Sequence, residues 1–270
     1  MALPKLSDFD LVIFDWAGTM VDHGCCAPVE ALLEAFDRHG VTISEAAARA
    51  DMGMAKVDHV RALLARPEVN EAWSAARGGA PGEADIISIM ADLTPLMLEA
   101  AAKASELIAG AAETASALKS AGLKVASSTG YTREMMQAVV AAAAAQGYAP
   151  DHLMCSGETP QGRPSPLMIY RACADLGVWP LSRVIKVDDA EAGIAEGRAA
   201  GCFTIGLAAS GNGMGLSREG LLGLSPEARE AGLKRVTDSL LASGADMVID
   251  SVADLLPVMN GQLAPRALRA

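Results

Sequence analysis

Asp15 ends an apolar run, Leu11-Val12-Ile13-Phe14, and is followed by Trp16, Ala17 and the pair Gly18-Thr19. A short apolar stretch broken by Gly-Thr reads as a buried parallel strand opening into a loop. A carboxylate there stands at the carboxyl edge of a sheet, where open α/β folds place their ligands. Asp15 can therefore serve as a nucleophile; the plainer reading is a strand-ending aspartate that caps a turn. Three further places set polar residues at a strand end or loop: Ser128-Thr129-Gly130, Gly162-Arg163-Pro164 and Asp188-Asp189. Together the four supply a carboxylate nucleophile, a hydroxyl with backbone N–H groups, a guanidinium for an anion, and further carboxylates for a hard metal ion. This is a kit for phosphoryl transfer. Lys56 and His59, at i and i+3, share one face of a helix. With Asp58 and Arg61 beside them, the same residues also read as a solvated, salt-bridged face.

These residues need a scaffold that brings distant strand ends together. After the first strand, residues 22–105 show helical periodicity in three stretches, 28–39, 44–64 and 84–104, with almost no strand-like alternation. Pro28 suits a first helical turn and Gly40 a helix stop. From Gly110 the pattern changes to short β-branched runs at 123–128, 183–187, 203–207 and 247–249, separated by amphipathic helices. Alternation of this kind predicts a parallel βαβ sheet. The expected fold is α/β, a Rossmann-like parallel sheet core with helices on both faces, plus an inserted all-helical cap. The core takes 1–21 and 106–270 and the cap 22–105. The alanines at 141–145 read as close helix packing.

The chain has 270 residues, 51% hydrophobic and 20% charged, with a formal net charge of −11, enough for a large core in one or two domains. The acidic balance argues against a nucleic-acid surface. No leader pattern opens the sequence and no apolar run is long enough to span a bilayer, so the expectation is a cytoplasmic protein without a membrane partner. Cys25, Cys26, Cys155, Cys173 and Cys202 are odd in number and lack CxxC spacing, so neither a disulfide framework nor a zinc site is indicated.

Over about residues 8–260 the chain resembles the haloacid dehalogenase superfamily and, within it, the phosphonoacetaldehyde hydrolases. The stretches that carry the resemblance are FDWAGTMVDHGCCAP, MGMAKVDHVRAL, SSTGYTREMM, GRPSP and IKVDDAEAGIAEGRAAG. The second, in the helical insertion, is the most specific. The resemblance implies that Asp15 attacks phosphorus, and that the carboxylates of Asp15 and Asp189 with the backbone carbonyl of Ala17 hold Mg²⁺. It implies that Thr129, Gly130 and Arg163 bind the phosphonate oxygens. Lys56 would form an imine with the substrate aldehyde, surrounded by His59, Cys25, Met52 and Tyr131. It also implies a homodimer through the cap helices, around 28–39.

The chain departs from the wider superfamily at two positions, and the implied chemistry accounts for the first, Ala17. Expelling a bare carbanion from phosphorus is prohibitively costly, so an imine on Lys56 must act as an electron sink. Phosphatase relatives carry a second aspartate at the Ala17 position to protonate an alkoxide leaving group; a carbon leaving group held as an imine makes that acid dispensable. Gly193 stands where a second acid of the last motif is expected, leaving Asp188 or Glu191 to contribute to the metal through water. Against this reading stand a phosphatase or phosphomutase acting on a small organic phosphate, a metal-free dehalogenase, and a non-catalytic relative that binds a phosphorylated metabolite. In the plain structural readings, His59 is an interior histidine, Met52 fills core, Cys25 packs near the site, and Tyr131 stacks near the phosphate loop.

Overall fold

The computed structural model describes residues 3–269. The first strand, β1 (Leu11–Phe14), is followed by the five helices of the insertion: α1 (Ala27–Arg38), α2 (Glu45–Ala50), α3 (Lys56–Ala65), α4 (Pro67–Arg77) and α5 (Glu83–Lys103). Alternation then sets in, with α6 (Ala111–Ser120), β2 (Lys124–Thr132), α7 (Arg133–Ala145), β3 (His152–Ser156), α8 (Leu167–Leu176), β4 (Val184–Asp188), α9 (Glu191–Ala200) and β5 (Phe203–Leu207). The chain closes with α10 (Arg218–Leu222), α11 (Pro226–Ala242), β6 (Met247–Ile249), α12 (Leu255–Met259) and β7 (Ala267–Leu268).

The strands form one seven-stranded sheet in the order β3-β2-β1-β4-β5-β6-β7. All pairs are parallel except β6 with β7, which are antiparallel. Both faces of the sheet are covered, as its strand compositions require. Val12 and Phe14 join the apolar cluster that includes Ala111, Ala115 and Met135 from α6 and α7; Leu11 and Ile13 face the opposite layer with Met168, Ile169 and Cys173 of α8. The fold is the expected α/β sheet with a helical insertion. Among the described residues no helix is long and apolar enough to cross a membrane.

The structure differs from the sequence expectation in several places. β3 and β7 were not predicted, because both lack a sustained β-branched run. β2 extends to Thr132 rather than ending at 128. Helix α4 was also missed, although Pro67 at its start and Gly78 beyond its end, at φ 80°, are its punctuation. The helix expected over 44–64 is two: α2 stops at Ala50, and α3 begins at Lys56, with Gly53 at φ 90° in the break. That break matters most. It turns the segment 51–55 toward the core and makes Lys56 the first residue of its helix.

The insertion joins the core through two adjacent segments. In the first, Asp22 and Cys25 take positive φ values of 54° and 50°, conformations that L side chains hold only when their surroundings enforce them. The Asp22 carboxylate accepts from the N–H groups of Cys26 and Ala27, both at 3.1 Å, at the start of α1. In the second, the N–H of Ile108 donates to the carbonyl of Met20 at 2.8 Å. The cap carries its own packing, with Trp73 of α4 against Phe36 of α1 and against His39, at ring separations of 6.3 and 5.5 Å. The outward side of α1 presents Glu30, Glu34, Asp37 and Arg38.

Cap and core meet at Gly130, near the end of β2. A Cβ at Gly130 would lie 2.5 Å from the carbonyl oxygen of Met54 and 2.7 Å from that of Gly53. Both obstacles are backbone, so only the segment itself can move. Gly130→Ala is therefore expected to leave both folded units intact while unseating the segment 51–55, at a cost of roughly 1–3 kcal/mol of overpacking. Limited proteolysis should then cut the linkers at 22–26 and 104–110 faster than in the unsubstituted chain; equal resistance would contradict this seam.

Candidate active site

Strand register assembles the site. Phe14 pairs with Ser127 of β2 and with Val187 of β4, so the next residues, Asp15, Ser128 and Asp188, emerge side by side at the carboxyl edge of the sheet. Asp189 follows Asp188, and Arg163 arrives on the loop after β3. One carboxylate oxygen from each of Asp15, Asp188 and Asp189 lies within 4.8 Å of the others. All three residues are buried, as are Arg163, Lys186 and Glu196.

Arg163 is held by its whole fork. Nη1 donates to Asp15 Oδ1 at 2.7 Å, Nε to Glu196 Oε2 at 2.9 Å, and Nη2 to the carbonyl and hydroxyl oxygens of Ser128 at 2.6 and 2.8 Å. Lys186 Nζ donates to Ser128 Oγ at 2.9 Å and lies 2.9 Å from Asp188 Oδ2, off the hydrogen-bonding direction. Burial works against the Arg163 cation, but Asp188, Glu196 and Asp15 more than offset it. Burial likewise opposes ionisation of Asp188; Lys186 and Arg163 outweigh it and keep its carboxyl below the usual range. Asp15 goes the other way. Burial, followed by repulsion from Asp188, raises its carboxyl, and Asp189 is raised well above the usual range by burial and by Asp15 and Asp188.

Lys186 and Glu196 were missed in the sequence. Their signal is a lysine inside the otherwise apolar strand Val184-Ile185-Lys186-Val187 and a glutamate on the inward face of α9: charges in buried positions persist only when paired. Within the core, four buried carboxylates, Asp15, Asp188, Asp189 and Glu196, thus face two buried cations, Arg163 and Lys186; Lys56, the third buried cationic side chain at the site, comes from the cap, and burial weakens its charge. The formal deficit is two positive charges. Three clustered carboxylates with that deficit fit one hard divalent cation with oxygen ligands, which is what Mg²⁺ requires. Asp189 is also pre-oriented: Thr19 Oγ1 donates to Oδ1 at 3.0 Å and the Asn212 N–H to Oδ2 at 2.7 Å.

The unexpected glycine of the last motif has a steric cause. A Cβ at Gly193 would lie 1.9 Å from Asp188 Oδ2, so the Asp188 carboxylate occupies the space a side chain at 193 would need. Of the two acids considered as replacements, Asp188 joins the cluster. Glu191 accepts from Ser239 Oγ at 2.8 Å and stands apart from it.

Above the carboxylates lies a small cavity lined by Asp15, Ala17, Cys25, Met52, Lys56, Thr129, Gly130, Tyr131 and Asp189 among others. The structure thus gathers these predicted residues from β1, the first linker, the break before α3, and the ends of β2 and β4. Lys56 is 4% exposed. Its Nζ lies 3.6 Å from Met52 Sδ and 5.6 Å from the centre of the Tyr131 ring. Burial lowers its pKa to about 8. The Cys25 thiol and the Tyr131 hydroxyl are both pushed well up by burial and then by the neighbouring carboxylates, and so stay neutral.

Two predicted residues stand behind the wall rather than on it. Arg163 reaches the cavity through Asp15. His59 is fully buried; burial, then Lys56, pushes its pKa down to about 3, against the opposing pull of the nearby Ala48 backbone. It is a neutral imidazole packed behind the amine.

Comparison with known proteins agrees with this geometry. Residues 9–201 match the family profile described as haloacid dehalogenase-like hydrolase. A phosphonoacetaldehyde hydrolase of Paraburkholderia phytofirmans is 48% identical over 92% of this chain and 93% of its own length. One from Bacillus cereus is 38% identical over 93% and 95%. The crystal structure of a phosphonoacetaldehyde hydrolase-like protein from Oleispira antarctica superposes with a TM-score of 0.92 at 36% identity, covering 97% of this chain and 95% of that one. A match of this depth over nearly the whole length places the chain in the haloacid dehalogenase-like hydrolases and, within them, in the phosphonoacetaldehyde hydrolase family.

Proposed function

We propose that the protein hydrolyses the phosphorus–carbon bond of phosphonoacetaldehyde to acetaldehyde and phosphate, in the cytoplasm and as a homodimer of the kind the family resemblance implies. One observation carries the reading of the reaction: a buried amine, Lys56, opens onto the same small cavity as a strand-end carboxylate, Asp15, while the neighbouring position 17 offers no acid. A phosphatase needs a proton donor for an alkoxide leaving group, and Ala17 gives none. An enzyme that removes a carbon group needs an electron sink instead, and Lys56 is the group that can form one.

The steps follow from this chain's residues. Lys56 Nζ, unprotonated, adds to the aldehyde carbon, and loss of water, with one proton taken up from solvent, leaves a protonated imine. Asp15 attacks phosphorus; the electrons of the breaking P–C bond flow into the imine and leave an enamine on Lys56 and an acyl-phosphate on Asp15. Protonation of the enamine carbon and addition of water release acetaldehyde and restore the amine. Water attacks the acyl-phosphate and releases phosphate. Thr129 and the backbone at Gly130 bind the phosphonate oxygens as charge builds on them; Arg163, expected in the same role, stands behind Asp15 with its fork engaged and instead holds the nucleophile in place. Cys25, Met52, Tyr131 and His59 surround the amine with neutral groups and exclude water. Asp15, Asp189 and the carbonyl of Ala17 would hold Mg²⁺, which when bound would supply charge neutralisation at the transferring phosphoryl group.

The direct test is incubation with phosphonoacetaldehyde and Mg²⁺, reading acetaldehyde and phosphate together. Equal amounts of both are expected, with activity lost in EDTA and restored by Mg²⁺; phosphate release from simple phosphate esters without phosphonatase activity would favour the phosphatase reading. Asp15→Asn keeps the shape of the side chain but cannot form the acyl-phosphate, so turnover should fall by roughly a thousandfold or more with the fold unchanged in circular dichroism.

The Lys56 amine makes a pH prediction. Its pKa lies at about 8, and only the unprotonated form attacks a carbonyl, so kcat/KM should climb with pH through about 8 and level off above it. Lys56→Arg should be as inactive as Lys56→Ala, because a guanidinium keeps the charge but does not condense with an aldehyde. Activity that is flat from pH 6.5 to 9, or an active Lys56→Arg protein, would remove the amine from the mechanism.

A further inference from the structure

Arg49, on α2 of the cap, sits at the seam with the core. Its Nη1 donates to the carbonyls of Gly24 at 2.9 Å and Cys25 at 3.3 Å in the first linker and to Asn212 Oδ1 at 3.2 Å; its Nη2 donates to the carbonyl of Gly215 at 3.1 Å. Asn212 returns the contact, donating from Nδ2 to the carbonyl of Arg49 at 3.0 Å. Asn212 is 4% exposed and the Arg49 side chain 14%. The cap thus clasps one side chain of the core loop 208–217 from both sides. The same loop is tied to the linker by the Gly24 N–H, which donates to the Ser210 carbonyl at 2.7 Å, and to the first catalytic loop by Ser210 Oγ, which donates to the Gly18 carbonyl at 2.9 Å.

The backbone of the clasped residue is what orients Asp189. The Asn212 N–H donates to Oδ2, while Thr19, which belongs to the core alone, holds Oδ1. One oxygen of this carboxylate is therefore fixed by the core, and the other by a loop whose position the cap holds. If the cap swings away, Asn212 loses both contacts with Arg49, and four acceptors lose the guanidinium that satisfied them. On the cap side the loop then keeps only its ties to the linker, through Gly24 to Ser210 and His23 to the Leu216 carbonyl, and the segment carrying the N–H on Asp189 loses the clasp at Asn212 itself.

We propose that Arg49 and Asn212 form a latch through which seating of the cap sets the orientation of Asp189, so that cap closure and binding of the divalent cation favour one another. Arg49 is a positioning residue that touches neither substrate nor metal. A guanidinium suits the task because its planar fork reaches several carbonyls at once, which an ammonium cannot do in one geometry. The proposal rests on the reading of Asp189 as a metal carboxylate. It goes beyond that reading by making metal affinity depend on a cap residue remote from the metal.

The test measures Mg²⁺ binding to the full chain by calorimetry, with no phosphonate present, for the unsubstituted protein, Arg49→Lys, Arg49→Ala, Asn212→Ala and the Arg49→Ala/Asn212→Ala pair. Asn212→Ala keeps the backbone N–H and removes only the clasp. Arg49→Ala and Asn212→Ala should each weaken Mg²⁺ binding about tenfold, within the usual range of coupling between sites. The pair should be no weaker than either alone, because both act through one path; Arg49→Lys should fall between. Coupling is reciprocal, so Mg²⁺ should slow proteolysis of the 22–26 linker in the unsubstituted protein and not in the variants. Mg²⁺ affinity within twofold of the unsubstituted value in folded variants would overturn the latch, even with a lowered Tm, as would additive losses in the pair. Mg²⁺ binding that follows this pattern in a protein unable to cleave phosphonoacetaldehyde would count against the proposed reaction and leave the latch standing. Absence of Mg²⁺ binding to the unsubstituted protein would overturn both.

Discussion

Four carboxylates buried at one edge of a sheet against two buried cations make a charge imbalance that a protein interior cannot hold without help. Much else in the molecule answers to it. Arg163 spends every arm of its guanidinium on this cluster, and Lys186 interrupts an apolar strand to reach it. Gly193 surrenders its side chain to make room for the Asp188 carboxylate. The remaining deficit suits one divalent cation; burial, reinforced by the same excess of negative charge, makes Asp15 and Asp189 resist ionisation.

The cap answers to a different constraint. A lysine attacks a carbonyl only when unprotonated, and burial is what brings its pKa within reach of neutral pH. The carboxylates below pull the other way, since each one favours the ammonium. Burial wins for Lys56, and the groups packed closest to its amine, a thioether, a thiol and a phenol, stay neutral, with the neutral His59 imidazole behind them. A core that concentrates negative charge and a cap that withholds water thus make opposite demands, and both are met across one seam, where the backbone of 53–54 rests on Gly130.

The sheet and its edge were legible in the sequence because parallel strands buried on both faces leave mostly apolar runs, and because Asp15, Ser128-Thr129 and Asp188-Asp189 each follow such a run. β3 was not legible, since His152-Leu153-Met154-Cys155-Ser156 has no such signature and is held by pairing with β2. The break between α2 and α3 was hidden by helical periodicity that continues across it; only tertiary packing onto the core turns the segment 51–55 aside. Lys56 and His59 were correctly placed on one helix face, but their depth was not visible, and a run containing Asp58 and Arg61 reads equally well as surface. In the structure Asp58 and Arg61 do pair on the exposed side at 2.8 Å, so both readings describe one helix from opposite sides. Arg49 and Asn212 left no signal, because a cap arginine and a loop asparagine acquire their meaning only when the seam closes.

The central claim is that this cap delivers an amine to an aldehyde. The most direct measurement is borohydride reduction in the presence of acetaldehyde or phosphonoacetaldehyde, followed by mass spectrometry of the peptide spanning 52–61. The account predicts a stable secondary amine on Lys56, appearing together with loss of activity and absent when borohydride is added alone. An adduct on another lysine, or no adduct under conditions that support turnover, would contradict it.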